Sequence, residues 1–144
     1  LLLMTRMTRI GHLMTPAPTT IRATTTVAEA AGLMAARGLR HLPVTDDAGQ
    51  LVGIVSDRDL RGPLGGGAPA PTAAVSTLMA TELVTARPEE ELGAVARKIV
   101  DRRIGAVPIV DEGGGLQGIV SYVDVLRRLA DDAEADARAV ERMD

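Results

Sequence analysis

The chain carries one unit twice. Gly53-Ile54-Val55-Ser56 returns as Gly118-Ile119-Val120-Ser121, and Asp59 returns as Asp124, at a constant offset of 65 residues. The same offset relates Leu13-Met14 to Leu78-Met79, Thr20 to Thr85, Arg22 to Arg87, Ala31 to Ala96 and Arg37 to Arg102. It also relates Pro43 to Pro108, Asp46 to Asp111, Gly49 to Gly114 and Leu51 to Leu116, and no gap is needed. Solenoids need about three stacked repeats to bury a core. Two repeats therefore point to one closed domain, with the units packed face to face about a pseudo-two-fold axis and paired clefts between them. A chain of 144 residues is the length of about one domain and buries roughly two-thirds of its unfolded surface.

Composition narrows the chemistry. With one Tyr, no Phe and no Trp, the core is built from Val, Leu, Ile, Met and Ala, and a ring ligand would be sandwiched by aliphatic side chains. The net charge of −3 gives no basic footprint for nucleic acid, and the missing aromatic platforms argue against single-strand binding. The absence of cysteine removes disulfides, thiolate metal sites and thiol catalysis, and fits a cytoplasmic protein. No apolar run approaches the roughly 20 residues of a membrane-spanning helix. Leu1-Leu2-Leu3-Met4 is shorter than a secretory apolar region of about 7 residues or more, so residues 1–9 read as a disordered leader or a start-site artefact.

Each repeat reads as β-α-β-β-α. A short turn at Ile10 to Met14, or Val75 to Met79, leads to a strand near Thr19 to Arg22, or Leu83 to Arg87. A helix follows at Val27 to Arg37, or Glu89 to Arg102, with apolar residues at helical spacing. Pro88 and the solvated carboxylates of Glu89, Glu90 and Glu91 suit a helix start. Two strands, Leu42 to Thr45 and Leu51 to Val55, or Val107 to Val110 and Leu116 to Val120, flank acidic-glycine turns, and a last helix begins after Ser56 or Ser121. The fold class is α+β. Residues 10–61 form repeat 1, 62–74 a Gly/Pro linker, 75–130 repeat 2, and 131–144 a C-terminal helix or a frayed tail. Gly65-Gly66-Gly67 lacks the Lys-Ser/Thr and the preceding strand of a phosphate loop.

The sharpest motif is Ser56-Asp57-Arg58-Asp59, repeated as Ser121-Tyr122-Val123-Asp124. Structurally it is a helix capping box. Functionally, free N–H groups at a helix start favour a phosphate, and a carboxylate there accepts two hydrogen bonds from a ribose diol. The two readings are compatible.

The ordered set of Leu-Met lead-in, β-α-β-β-α order, Pro-Val or Pro-Ile strand, acidic-glycine turn and Gly-Ile-Val-Ser-x-x-Asp ending resembles a cystathionine-β-synthase (CBS) domain. Two in tandem resemble a Bateman module, and Asp57-Arg58-Asp59-Leu60 is similar to small stand-alone bacterial CBS-pair proteins. The resemblance covers residues 10–130. It implies a non-catalytic sensor of AMP, ADP, ATP or a related adenosyl ligand such as S-adenosylmethionine, with no required cofactor. It further implies that Asp59 and Asp124 hold ribose and that Ser56 and Ser121 lie beside phosphate. Met14, Thr19, Thr20, Met79, Val84 and Thr85 would wall the adenine, with Pro43, Ile54, Pro108 and Ile119 on its other side. The family builds each cleft from both repeats, so Asp59 is expected to work with the second repeat's lead-in and Asp124 with the first's. Disc-like homodimers and an unidentified protein target are the implied partners, with neither nucleic acid nor membrane.

The repeats differ where the family faces phosphate. Repeat 1 has Arg40-His41 and Arg58; repeat 2 has Gly105-Ala106 and Val123. Arginine offers a bidentate fork to phosphate, so the two clefts are expected to differ in affinity. The alternative is that Arg40 and Arg58 are solvated and His41 is a half-buried strand residue. His12 and His41 are the only histidines, and no metal-ligand spacing or Ser/His/Asp arrangement emerges. The stretches outside residues 10–130 are too short for a catalytic domain, so no enzyme activity is expected. The competing class is a CBS-pair dimerisation scaffold with degenerate clefts.

Overall fold

A computed structural model describes residues 8–62 and 66–143. These residues form two compact units that interleave the repeats. Of the described residues, the Asp59 unit comprises 17–62, 66–83 and 112–116, and the Asp124 unit joins 8–16 with 84–111 and 117–143.

In the Asp59 unit, helix α1 (Val27–Arg37) packs Val27, Ala30 and Met34 inward. Thr26 caps it: the Thr26 Oγ1 accepts from Glu29 N at 3.1 Å and donates to Glu29 Oε1 at 2.9 Å. The Ala73 and Pro71 carbonyls accept from Val27 N and Ala28 N, so this part of the expected linker completes the helix start, where N–H groups lack intrahelical partners. Strands β2 (His41–Thr45) and β3 (Leu51–Ser56) pair antiparallel, His41 opposite Ser56 and Pro43 opposite Ile54. Helix α2 (Asp57–Arg61) follows directly.

The Asp124 unit repeats the plan. Strand β1 (Thr15–Pro16), β5 (Leu116–Ser121) and β4 (Ala106–Val110) form a sheet in the order β1-β5-β4. Helix α3 (Leu92–Arg102) buries Leu92, Val95 and Ile99, and α4 (Tyr122–Met143) follows β5 without a break. The charged C-terminal stretch is therefore helix as far as Met143.

Each core takes one large residue from the other repeat. Val75 is fully buried among Ile21, Met34, Leu42, Val44 and Val55. Ile10 is fully buried among Leu92, Val95, Val107, Ile109 and Val120. Burying such a side chain stabilises by about 1.5–3 kcal/mol, so each lead-in is fastened to the body of the opposite repeat.

Several expectations are corrected. The strands expected at Thr19–Arg22 and Leu83–Arg87 are single parallel bridges, Ile21 to Val44 and Ala86 to Ile109, because turns closing at Thr25 and Glu90 end each extended run. The second helix begins at Leu92 rather than Glu89. Glu90 is not a solvated helix start: its carboxylate accepts from Arg87 N at 2.6 Å and Lys98 Nζ at 2.8 Å. Of the expected leader, residues 1–7 lie outside the described residues, as do linker positions 63–65 and residue 144. Thr8 and Arg9 are ordered against the helix: the Thr8 carbonyl accepts from Leu92 N at 2.8 Å, and Arg9 Nη1 donates to the Glu89 carbonyl at 3.0 Å. The cause is the helix start itself, since Glu91 at the cap makes no side-chain hydrogen bond to it.

Candidate ligand site

The Asp59 unit gathers most of the expected site residues of repeat 1. Apolar β3 ends at Ser56, where the chain turns into α2. The Ser56 Oγ accepts from Asp59 N at 3.1 Å, and Asp59 Oδ2 accepts from Ser56 N at 2.9 Å. The capping box is complete, and it uses one carboxylate oxygen. The Arg40 carbonyl accepts from Asp57 N at 2.8 Å, which ties the start of α2 to the start of β2. That bond, with the His41–Ser56 pairing, brings Arg40, His41, Arg58 and Asp59 into one neighbourhood.

The electrostatics of His41 report this clustering. Burial holds its pKa below the ordinary 6.5; Asp57 and Asp59 pull it upward, while Arg40 and Arg58 push it further down. The expected alternative of a half-buried strand histidine describes its packing, and the four charges around it describe its setting. Arg40 and Arg58 are exposed and hold no ion pair among the described residues.

Ile54 exchanges backbone hydrogen bonds with Ala80, at 3.1 and 2.9 Å. This sets Met79 on Gly53, where a Cβ would lie 2.6 Å from the Met79 sulfur. A larger residue there would displace the Met79 side chain, so glycine permits the close approach. Pro43 is buried in β2 opposite Ile54. Thr19 Oγ1 accepts from Arg37 Nη1 at 3.0 Å, and Thr20 is exposed in the same unit.

The Asp124 unit holds the matching arrangement. The Ser121 Oγ accepts from Asp124 N at 3.2 Å, and Asp124 Oδ2 accepts from Ser121 N at 2.9 Å. The other carboxylate oxygen lies 3.8 Å from Arg127 Nη1. The Gly105 carbonyl accepts from Tyr122 N at 3.0 Å, the counterpart of Arg40 and Asp57. Thr15 stands opposite Ile119 and Pro16 opposite Gly118, and a Cβ at Gly118 would lie 2.5 Å from the Met14 sulfur. Pro108 is buried and its carbonyl accepts from Ala86 N. The Thr85 carbonyl accepts from Lys98 Nζ at 2.8 Å, next to half-buried Val84.

Each lead-in thus divides. Met79 stands in the Asp59 unit and Met14 in the Asp124 unit, while Thr19 and Thr20 fall with Asp59, and Val84 and Thr85 with Asp124. The single bridges at Ile21 and Ala86 hold these threonines to their own repeat. In the sequence Gly53, Gly118 and Asp57 mark the repeat and its motif, but neither they nor Ala80 stand among the expected site residues. The glycines carried a signal: each repeats at the offset, as does the methionine it accommodates. Among the described residues, no group of His, Asp or Glu side chains is arranged to hold a metal ion, and no helix is long and apolar enough to cross a membrane.

The CBS domain family matches residues 10–65 and 75–131. A solved CBS domain pair of protein MJ0100, in complex with 5′-methylthioadenosine and S-adenosyl-L-methionine, superposes with a TM-score of 0.80 at 27% identity, covering 88% of this chain and 98% of that one. CBSX2 in complex with AMP superposes with a TM-score of 0.77 at 28% identity, covering 85% and 97%. Among curated proteins, the homoserine O-acetyltransferase of Methanococcoides burtonii is 32% identical over 120 residues, 83% of this chain and 24% of the relative. The chain spans about a quarter of the length of the curated relatives it matches.

Proposed function

The chain belongs to the CBS domain family and carries the domain twice; on that premise we propose that it is a non-catalytic module that binds an adenosine nucleotide or related adenosyl ligand and regulates a partner through ligand-dependent conformation or dimerisation. The observation that carries this reading is the Ser-x-x-Asp box present in both units. In each, one carboxylate oxygen caps the helix. The other takes no part in the cap, and a carboxylate oxygen accepts hydrogen bonds of the kind the paired hydroxyls of a ribose donate. In the same unit as each box, Ile54 and Met79, or Ile119 and Met14, supply aliphatic side chains to wall an adenine.

The solved neighbours that carry adenosyl ligands, AMP in one and 5′-methylthioadenosine with S-adenosyl-L-methionine in another, support the ligand class. The non-catalytic reading draws support from coverage: the matched segment is 24% of a relative named for acyl transfer. A homodimer is supported by the exposed apolar residues Val100 on α3 and Leu126 and Leu129 on α4.

The test is calorimetric titration of AMP, ADP, ATP, S-adenosylmethionine and NAD(H) into the folded chain and into Asp59→Asn and Asp124→Asn. Micromolar binding of an adenosyl ligand, weakened at least tenfold in one variant, is the expected result. Folded protein that takes none of them is a scaffold.

A further inference from the structure

Resting on the adenosyl-binding reading above, we propose that the two units divide their ligands by chemistry at the 5′ carbon. The Asp59 unit takes a 5′-phosphate ester of adenosine. The Asp124 unit takes adenosine with a phosphate-free 5′ substituent, a thioether or a sulfonium.

The shared parts of the two units read the nucleoside alike. Both have the Ser-Asp box, the Ile-Val strand end and a methionine lying on a strand glycine. The parts that differ converge on one place. In the Asp59 unit, the Asp57 N–H to Arg40 carbonyl bond joins the start of the helix to the start of the neighbouring strand. In the Asp124 unit, the Tyr122 N–H to Gly105 carbonyl bond makes the same join. Four positions are thus held by equivalent backbone in both units. They carry Arg40, His41, Asp57 and Arg58 in one, and Gly105, Ala106, Tyr122 and Val123 in the other.

A phosphate dianion taken from water needs cations that are not already committed. Arg40 and Arg58 meet that condition among the described residues, and both act on His41 together with Asp57 and Asp59. In the Asp124 unit the basic side chain on the same helical turn is Arg127, and it is spent on the Asp124 carboxylate at 3.8 Å. Arg128 is held by Asp132 and Thr8, and Lys98 by Glu90 and the Thr85 carbonyl. At the four matched positions, Gly105, Ala106, Tyr122 and Val123 offer a phosphate no cation at all.

What the Asp124 unit offers instead is apolar surface. Tyr122 and Val123, the two residues between Ser121 and Asp124, are each 42% exposed. A methylthio group gains by covering such surface. A sulfonium gains further, from the face of the tyrosine ring and from the nearby carboxylate.

The experiment titrates AMP and 5′-methylthioadenosine separately into the full chain, into the double variant Arg40→Ala/Arg58→Ala, and into Asp124→Asn. The asparagine keeps a capping side chain, and thermal melts confirm that each variant is folded. The expected pattern is a double dissociation. The arginine variant weakens AMP at least tenfold and leaves 5′-methylthioadenosine within twofold, and Asp124→Asn does the reverse. Loss of both ligands in the same variant would mean a shared site and overturns the division while leaving the adenosyl reading intact. Failure of both ligands to bind the folded wild-type chain overturns both.

Discussion

At the scale of single residues, His41 carries the clearest consequence for stability. Burial depresses its pKa in the folded chain below 6.5. A group with a depressed folded pKa binds a proton more readily when unfolded. Its contribution to stability is therefore complete above about pH 6.5 and is lost as pH falls through the folded value. The slope for one proton is at most about 1.4 kcal/mol per pH unit. Chemical denaturation between pH 7.5 and 5.5 should show stability falling with acidification, and His41→Gln should flatten the fall. Glu90 acts in a separate window. Burial opposes its charge, but the Lys98 and Arg87 hydrogen bonds win and hold its pKa below 4.5, so its contribution is lost only in stronger acid. An unchanged slope in His41→Gln would move the origin of any loss near pH 6 away from this residue. The position of His41 on an apolar strand was legible in the sequence, as was the possibility that basic neighbours flank it. The Asp57 and Asp59 charges acting on it were not, because the Asp57 to Arg40 backbone bond that closes the cluster joins positions 17 residues apart.

At the scale of elements, helices α1 and α3 end by one geometry made from two residue types. Gly38 closes α1 at φ 65°, and Arg103 closes α3 at φ 53°. The left-handed conformation costs a residue with a side chain roughly 1–2 kcal/mol, and glycine returns part of that gain as unfolded-chain entropy. Arg103→Gly should therefore stabilise by roughly 0.5–1 kcal/mol, a rise in Tm of about 1–4 °C for a chain this long. Gly38→Ala should destabilise by a similar amount, through backbone strain alone, because no atom lies within 4 Å of the Cβ it would add. Paired thermal melts of the two variants check both signs. Elements with their own periodicity were legible: α1, the two hairpins and the capped starts after Ser56 and Ser121 stand within about a residue of where spacing and turn chemistry put them. The start of α3 was misjudged because three glutamates after Pro88 carry a helix-start signal. One of them is instead drawn back to Lys98 and the Arg87 N–H.

At the scale of the whole molecule, the repeat is a unit of sequence and the compact unit is not. Ile10 and Val75 occupy equivalent places in the repeat, and each is fully buried in the core of the opposite one. The duplication was plain from Gly-Ile-Val-Ser at 53–56 and 118–121 and the matches that keep the same offset. The exchange of lead-ins was not readable from periodicity, because Ile10 would fill the core of either repeat equally well by size and polarity. Only the resemblance to a family carried that expectation. The exchange has a direct physical consequence. A fragment ending in the linker at Gly66 holds the body of the Asp59 unit but lacks Val75, Met79 and the Ala80 strand partner of Ile54. The complementary fragment holds the body of the Asp124 unit but lacks Ile10, the Thr15–Pro16 strand and the Thr8 carbonyl that receives Leu92 N. Each lacks a fully buried aliphatic residue worth about 1.5–3 kcal/mol and a strand edge besides, against a whole-domain stability of only about 5–15 kcal/mol. Each fragment alone should give a broad, non-cooperative melt, and an equimolar mixture should recover a cooperative one together with protection of the Leu42, Val44, Val107 and Ile109 amides from hydrogen exchange. Cooperative folding of either fragment by itself would show that its own repeat suffices, and that the borrowed residue adds packing without being needed for the fold.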